Sequence, residues 1–334
     1  MQIGSLPLRN AVALAPMAGL SDVPFRTMAW RMGAGYMVSE MVSSKPELWE
    51  TGKSRRRRVP VPGANPVAVQ IAGTDPEIMA DAARRHVQDG VQVIDINFGC
   101  PAKKVCRKAA GSALLADLDL LARIVDRVAR AVDVPVTVKT RTGLDPEDRL
   151  GVAAGRIAAA NGAQMIVMHG RSRACKFAGT VDYRPVRALV EDLRGAARIP
   201  VLVNGDIRSA RDAERALAVS GADGVMVGRA ALGQPWLFAE LTGHPLPSRA
   251  QRWQLLLEHV ESMHDFYGAQ PAVGIVRKHV RAYLEHLGYA RFTSQFMSLG
   301  RAENQRRWLQ QLAAADLDNA VFESSKITAA LMAA

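Results

Sequence analysis

The sequence predicts an α/β fold: a (β/α)8 TIM barrel with a small C-terminal all-helical domain. Three observations predict it. Eight short apolar runs recur along the 334 residues, at 11–15, 35–41, 67–71, 91–97, 134–140, 165–169, 200–204 and 224–228; eight is the number of strands the barrel needs. The runs are nearly continuous in Val, Ile, Leu and Met, as parallel strands covered on both faces are. Helical patterns lie between most of them, and beyond Gly228 the pattern is helical only. A doubly wound sheet uses the same alternation, and strand number separates the two.

The third run is followed by "TDPEIMADAARRHVQDG", with Thr74 and Glu77 at capping-box spacing, Pro76 in the first turn and Gly90 as a stop. The fifth is followed by "DPEDRLGVAAGRIAAANG", a helix expected from near Asp145 to Gly162. The seventh is followed by "SARDAERALAVSG", starting at Ser209 and stopping at Gly221. The proline-bearing "GQPWLFAELTGHPLPSRA" reads as a connection. It places the barrel at 1–240, a linker at 241–247 and the helical domain at 248–334, with breaks at Gly268, Gly288 and Gly300. The charge run at 55–58, four arginines, falls in a loop between the second and third strands.

Composition bounds the partners. The chain is 49% hydrophobic, and 43 basic against 32 acidic residues leave a net charge of +11. That excess points to an anionic partner such as nucleic acid, a phosphorylated ligand or a membrane surface, with solubility as the plainer explanation. Three cysteines, without C-x-x-C spacing, suggest reduced thiols. No basic region followed by an apolar stretch opens the chain, and no apolar run approaches the ~20 residues that span a bilayer. A cytoplasmic protein is expected, without a membrane or metal partner.

In a barrel the reactive groups lie where the strands end. Those ends read Pro16-Met17-Ala18-Gly19; Ser39-Glu40; Gln70; Asn97 and Cys100; Lys139 and Arg141; His169, Arg171 and Arg173; Asn204-Gly205-Asp206; and Gly228-Arg229. One polar strand end means little, since a lone Lys139 is an ordinary snorkelling lysine and a lone His169 an ordinary structural histidine. Eight in register are hard to explain as packing. "NGDIRSA" and "GRAALG" are glycine-bearing turns leading into helices, at the two strand ends where barrels often bind phosphate. There Arg229 supplies a charge-assisted contact.

The stretches "APMAGLSDVPFR", "VQIAG", "DINFGCPAKKV", "VKTRTG", "HGRSR", "VNGDI" and "GVMVGRAALGQPW", in that order, together resemble the tRNA-dihydrouridine synthases. These are flavin-dependent barrel enzymes that reduce uridine in tRNA. "HGRSRACKFAGTVDY" and "MHDFYG…VRKHV" resemble the bacterial B-type members. The resemblance covers essentially the whole chain, and the G-C-P motif is its most specific part. Phe98 stands where the family often has methionine, and Ser21 where it often has threonine.

The resemblance implies FMN as cofactor and NADPH as reductant. Pro16, Met17 and Ala18 contact the flavin ring, with Gln70, Lys139 and His169 beside it. Asn204, Gly205, Asp206, Gly228 and Arg229 hold its ribityl and phosphate end. Asn97, Arg141 and Arg173 lie near the substrate, a D-loop uridine with position 17 favoured. Hydride from flavin N5 reaches C6 of the uracil, and Cys100 protonates C5. A thiol with pKa near ~8.5 is largely protonated at neutral pH and still able to release its proton. Set against that role, cysteine is often a small buried apolar residue, the reading given to Cys106 and Cys175. Lys103 and Lys104 are placed to meet phosphates.

For the RNA itself, Arg277, Lys278 and Arg281 gather with Arg291, Arg301, Arg306 and Arg307, interspersed with Tyr283, Tyr289 and Trp308. That is a plausible backbone-binding surface in the helical domain. A monomer is expected. Two rivals differ in class: a flavin-dependent reductase of a free pyrimidine or other enone-like molecule, which needs no basic C-terminal segment, and a non-catalytic RNA-binding module, which needs no Cys100.

Overall fold

The structure is a computed structural model and describes residues 1–107, 109–196, 198–318, 328–330 and 332, without the side chains of Lys104 and Ala196. The last stretch of the expected helical domain (319–327, 331, 333–334) and the phosphate reading of Lys104 thus lie outside the described residues.

Among the described residues the chain forms two compact units, Met1–Arg26 with Ala34–Ala230, and Thr27–Gly33 with Ala231–Ala334. The first unit is the (β/α)8 barrel. Its strands are Val12–Leu14, the pair Tyr36–Met37 and Val42–Ser43, Ala68–Ala72, Val93–Asn97, Val136–Arg141, Ala163–His169, Val201–Asn204 and Gly224–Val227. All pair in parallel, and the eighth returns to the first.

The second strand departs from the expected single run over 35–41. Tyr36–Met37 pairs with the first strand and Val42–Ser43 with the third. Between them a Val38–Ala68 bridge keeps the ring closed. The interruption has a local cause: the Ser39 hydroxyl accepts from Gln70 N at 3.1 Å and donates to the Glu40 carbonyl at 2.9 Å, replacing ladder bonds.

Side chains alternate between the faces of a strand. Val93, Val167 and Leu202 belong to the cluster that fills the barrel, with Ala13, Tyr36 and Met165. Two-residue steps from these place Asp95 and Asn97, His169, and Asn204 on the same inner face. The apolar filling thus gives way to a polar layer towards the strand ends.

Helix starts differ from the expected ones in two places. The helix Pro76–Gln88 is capped by Asp75, whose side chain accepts from Ile78 N, not by a Thr74–Glu77 box. Glu77 is instead paired with Arg127. The helix expected from Asp145 begins only at Leu150. Asp148 accepts from the backbone N–H groups of Leu144, Asp145 and Leu150, which holds a turn before the helix. Ala210–Ser220 matches the expectation, with Ser209 as its cap and Gly221 at φ 65° closing it. The arginine run is no loop: it ends the helix Gly52–Arg58.

The second unit contains the helices Leu237–Leu241, Arg249–Tyr267, Ala269–Leu287, Thr293–Ser298 and Ala302–Leu317 among the described residues. Ser248 and Gln251 cap the second of these reciprocally. Trp236 joins Trp253, Tyr283, Phe296 and Trp308 in one core, so the segment from Ala231 packs with this unit, whereas the sequence reading extends the barrel to residue 240. Tyr283 and Trp308 are fully buried; they are core residues and cannot serve as exposed stacking platforms for RNA. No helix among the described residues is long and apolar enough to cross a membrane.

Candidate active site

The loop after the fourth strand presents Cys100. Phe98 N donates to the Lys139 carbonyl at 2.8 Å. Asn97 Oδ1 accepts from Gly99 N at 3.2 Å and Cys100 N at 2.9 Å. The Cys100 carbonyl accepts from the Ser112 hydroxyl at 2.9 Å. Gly111, at φ 64°, lets the chain pass there, since a Cβ would lie 2.8 Å from that carbonyl oxygen. Burial pushes the Cys100 thiol pKa up, so the protonated form is favoured at neutral pH. Cys106 donates to the Cys100 carbonyl at 3.5 Å, and Cys175 accepts from the Ser172 hydroxyl at 3.3 Å.

Behind Asn97 runs a buried polar chain. Asn97 Nδ2 donates to Gln70 Oε1 at 2.7 Å, Gln70 Nε2 donates to Asp95 Oδ2 at 2.7 Å, and Thr137 donates to Asp95 Oδ1 at 2.6 Å. Burial raises the Asp95 carboxyl pKa to about 6, against the lowering effect of these two donors and of Lys139.

Across the mouth, Lys139 Nζ donates to Asn204 Oδ1 at 3.0 Å, and Asn204 Nδ2 donates to the Met226 carbonyl at 2.7 Å. Burial and the neighbouring Arg141 push the Lys139 ammonium down to about 8. His169 is held neutral, first by burial and then by Lys139, Arg141, Arg171 and Arg229. Its Nδ1 is buried without a hydrogen-bond partner. A neutral imidazole among four cations marks a cup suited to an anion.

Arg141, expected near the substrate, is committed to backbone. Its Nε donates to the Gly99 carbonyl at 2.7 Å, and Nη1 donates to the carbonyls of Ser172 and Lys176 at 3.0 and 2.9 Å. It thereby ties the thiol loop to the loop after the sixth strand. Arg173 lies on that second loop, half-buried, its backbone N–H bonded to the Gly143 carbonyl at 2.9 Å.

At the seventh strand end, Asp206 takes a bidentate pair from Arg171 at 2.8 and 2.7 Å, which lowers the Asp206 carboxyl. Its carboxylate is therefore engaged by protein. Gly205, at φ 127°, packs so closely that a Cβ would lie 2.7 Å from Val181. Gly228 is the opposite case: a Cβ there would meet nothing nearer than Met17 sulfur at 3.8 Å. Arg229 is exposed and lies 4.6 Å from the Phe177 ring centre. Pro16 and Met17 are half-buried and Ala18 exposed; Met17 N donates to the Ser21 hydroxyl at 2.7 Å, and Gly19 N donates to Glu40.

The sequence reading gave no role to Asp95, Thr137 or Phe177. Asp95 was visible as an acid inside an apolar run, two residues before Asn97 on the same face. Phe177 is 52% exposed and stands 5.5 Å from the Arg141 guanidinium as well.

Of the arginine run, Arg57 pairs with Glu40 at 3.3 Å, Arg58 with Asp89 at 3.3 Å, and Arg55 with Glu50 at 2.8 Å. Arg58 also stacks on Trp49 at 4.1 Å. Arg57 and Arg58 face inward and are spent on protein partners. In the second unit, Lys278 and Arg281 are exposed on the helix Ala269–Leu287. Arg281 pairs with Glu285 at 2.9 Å, and Arg277 is half-buried, donating to the Leu299 carbonyl at 3.3 Å.

A parallel barrel with its reactive groups at the strand ends has the architecture of a (β/α)8-barrel enzyme, and its relatives make it an oxidoreductase. It belongs to the dihydrouridine synthase family (Dus), which matches residues 13–321. It is 48% identical over 318 residues to tRNA-dihydrouridine synthase B of Salmonella typhimurium, covering 93% of this chain and 98% of that one. Against the Escherichia coli K12 protein of the same name the identity is 47%, with the same coverage. Against that of Pseudomonas aeruginosa it is 46%, covering 96% and 97%. Among solved structures, morphinone reductase shares the fold at TM-score 0.53 and 15% identity, covering 75% of this chain and 90% of that one.

Proposed function

We propose that this chain reduces a uridine in the tRNA D-loop to 5,6-dihydrouridine, with FMN as cofactor, NADPH as reductant and position 17 as the favoured target. The observation that carries the reading is Cys100, presented at the fourth strand end with its thiol kept protonated by burial. The names of the relatives supply the substrate class.

The residues at the mouth fit a flavin. His169 Nδ1 is a buried polar atom in want of a partner. The space above Gly228 is open, and the charges of Lys139, Arg141, Arg171 and Arg229 act on the imidazole. Pro16, Met17, Ala18, Lys139 and His169 bind the ring, with Gln70 beside it, its amide already bonded to Asp95 and Asn97. Asn204, Gly205, Gly228 and Arg229 hold the ribityl and phosphate end. Asp206 serves through its backbone, because Arg171 occupies its carboxylate. Reduced FMN, when bound, supplies the hydride for C6 of the uracil.

The protein's own part is the proton. Cys100 gives it to C5, and the thiolate left behind lies in the fields of Arg141 and Lys139, which favour the charged form. Asn97 orients the loop, Arg141 braces it, and Arg173 stands beside the substrate. Lys278, Arg281 and Arg277 of the helical unit contact tRNA phosphates.

Nucleoside mass spectrometry of tRNA from a strain lacking this gene, with position mapping, tests the reading. Dihydrouridine should vanish at one D-loop position and return with the gene. An unchanged dihydrouridine map would overturn it.

A further inference from the structure

We propose that Asp95 is a positioning residue for the Cys100 loop: it fixes the donor–acceptor sense of Gln70 and Asn97, and through them the seat of the thiol. The proposal rests on Cys100 as the proton donor.

The argument is one of hydrogen-bond polarity. An ionised carboxylate only accepts. Asp95 is buried, and its two oxygens take the Thr137 hydroxyl and the Gln70 amide nitrogen. Gln70 must therefore turn its oxygen towards Asn97, and only the Asn97 nitrogen can answer it. Asn97 then has its oxygen left for the loop, where Gly99 N and Cys100 N both need an acceptor. Reversing any one amide would set oxygen against oxygen and nitrogen against N–H. Amide orientations are ordinarily assigned from their networks, but here an acceptor-only terminus dictates the whole chain.

The strand register builds this line. Gln70 is the ladder partner of Asp95, and Asp95 of Thr137, so adjacent strands supply consecutive links. Gln70, Asp95 and Thr137 are nearly inaccessible to solvent. Asp95 bonds to Gln70 and Thr137, and two amides carry its effect to the loop, while its charge also acts on Lys139.

Asp95→Asn removes the acceptor-only terminus at almost constant shape. Gln70 and Asn97 can then reverse together, leaving Cys100 N without its acceptor. The readout is alkylation of Cys100 by iodoacetamide across pH, in a Cys106→Ser, Cys175→Ser background. In the D95N protein the rate should rise roughly tenfold at neutral pH, as the freed loop exposes the thiol and its pKa falls towards the ordinary ~8.5. Adding Gln70→Glu moves the acceptor-only group one link along. The amide introduced by D95N can then donate to the new carboxylate, Asn97 regains its sense, and alkylation should return to within about twofold of the parent. Loss of packing alone would not be repaired by this exchange.

A parent-like rate in D95N, or a double variant that alkylates as fast as D95N, overturns the proposal. If D95N does not fold, Gln70→Met and Gln70→Glu in the parent take its place. Met should free Asn97 and speed alkylation; Glu, sharing one proton with Asp95 and accepting from Asn97 with its other oxygen, should not, and equal rates overturn the proposal. Alkylation needs no tRNA turnover, so a failure of Cys100 as proton donor, read from dihydrouridine formation by Cys100→Ala, is separable from this result.

Discussion

Lys139 on the fifth strand reaches past the sixth to donate from Nζ to Asn204 Oδ1 on the seventh, at 3.0 Å. The Asn204 amide is itself oriented by its bond to the Met226 carbonyl, so the ammonium is held at a fixed place in the cationic cup. Its proton is lost as pH rises through about 8. An anionic ligand favours the charged form, so its affinity is full below that pH and falls above it. Fluorescence titration of FMN into flavin-free protein should show weakening between pH 7 and 9. In Lys139→Gln the affinity should be lower at pH 7 and flat over that range. Identical profiles in the two proteins would remove Lys139 from the flavin site.

Cys100→Ala should retain bound flavin and NADPH oxidation, because the thiol belongs to neither function. Dihydrouridine formation in tRNA should drop by about 10²-fold or more, the scale of a lost general acid. Single-turnover mass spectrometry of product tRNA measures it, and parent-like turnover would sink the assigned role.

Lys278 and Arg281 are exposed on the helix Ala269–Leu287. Lys278→Ala should flatten the slope of log tRNA affinity against log salt by roughly 0.7–0.9, one phosphate contact's worth. Arg281→Ala should flatten it by no more than that, since Glu285 shares that guanidinium. Filter binding from low to high salt measures both slopes. A slope unaffected by either change would move the tRNA contact off this helix.

His86 is buried against Trp49, with ring centres 4.6 Å apart and neither ring nitrogen hydrogen-bonded. Burial, then Arg58, pushes its pKa down to about 4. The unfolded chain, with a histidine pKa near ~6.5, takes up the proton first as pH falls. Stability is thus fully present above about 6.5 and declines as pH drops towards 4. At pH 5 the loss is about 2 kcal/mol. Urea unfolding at pH 7 and pH 5 should show His86→Phe losing less stability between the two than the parent, by that amount. An equal loss in both would mean His86 does not titrate as described.

The barrel and its strand-end residues were legible because buried parallel strands write themselves as apolar runs, and the ends of those runs point to one rim. Partners distant in sequence were not legible. Arg57 and Arg58 read as part of a charge run in a loop because Glu40 and Asp89 lie far from them in the chain. Tyr283 and Trp308 read as surface aromatics because helical periodicity shows a face but not what covers it. The bracing role of Arg141 was not legible because its acceptors are backbone carbonyls, which no side-chain pattern reveals. Asp95 carried a signal, an acid within a strand, whose meaning depended on the register of the strands beside it.

The grip of Arg141 on three carbonyls in two loops makes one guanidinium a hinge pin. A lysine there would keep the charge, yet a single ammonium on a flexible stem cannot reproduce the rigid, planar spread of donors. The two loops would then drift as separate bodies. For protein engineering, this sets the unit of exchange: grafting either loop from a relative without the other, and without the arginine beneath them, transplants half of a joint.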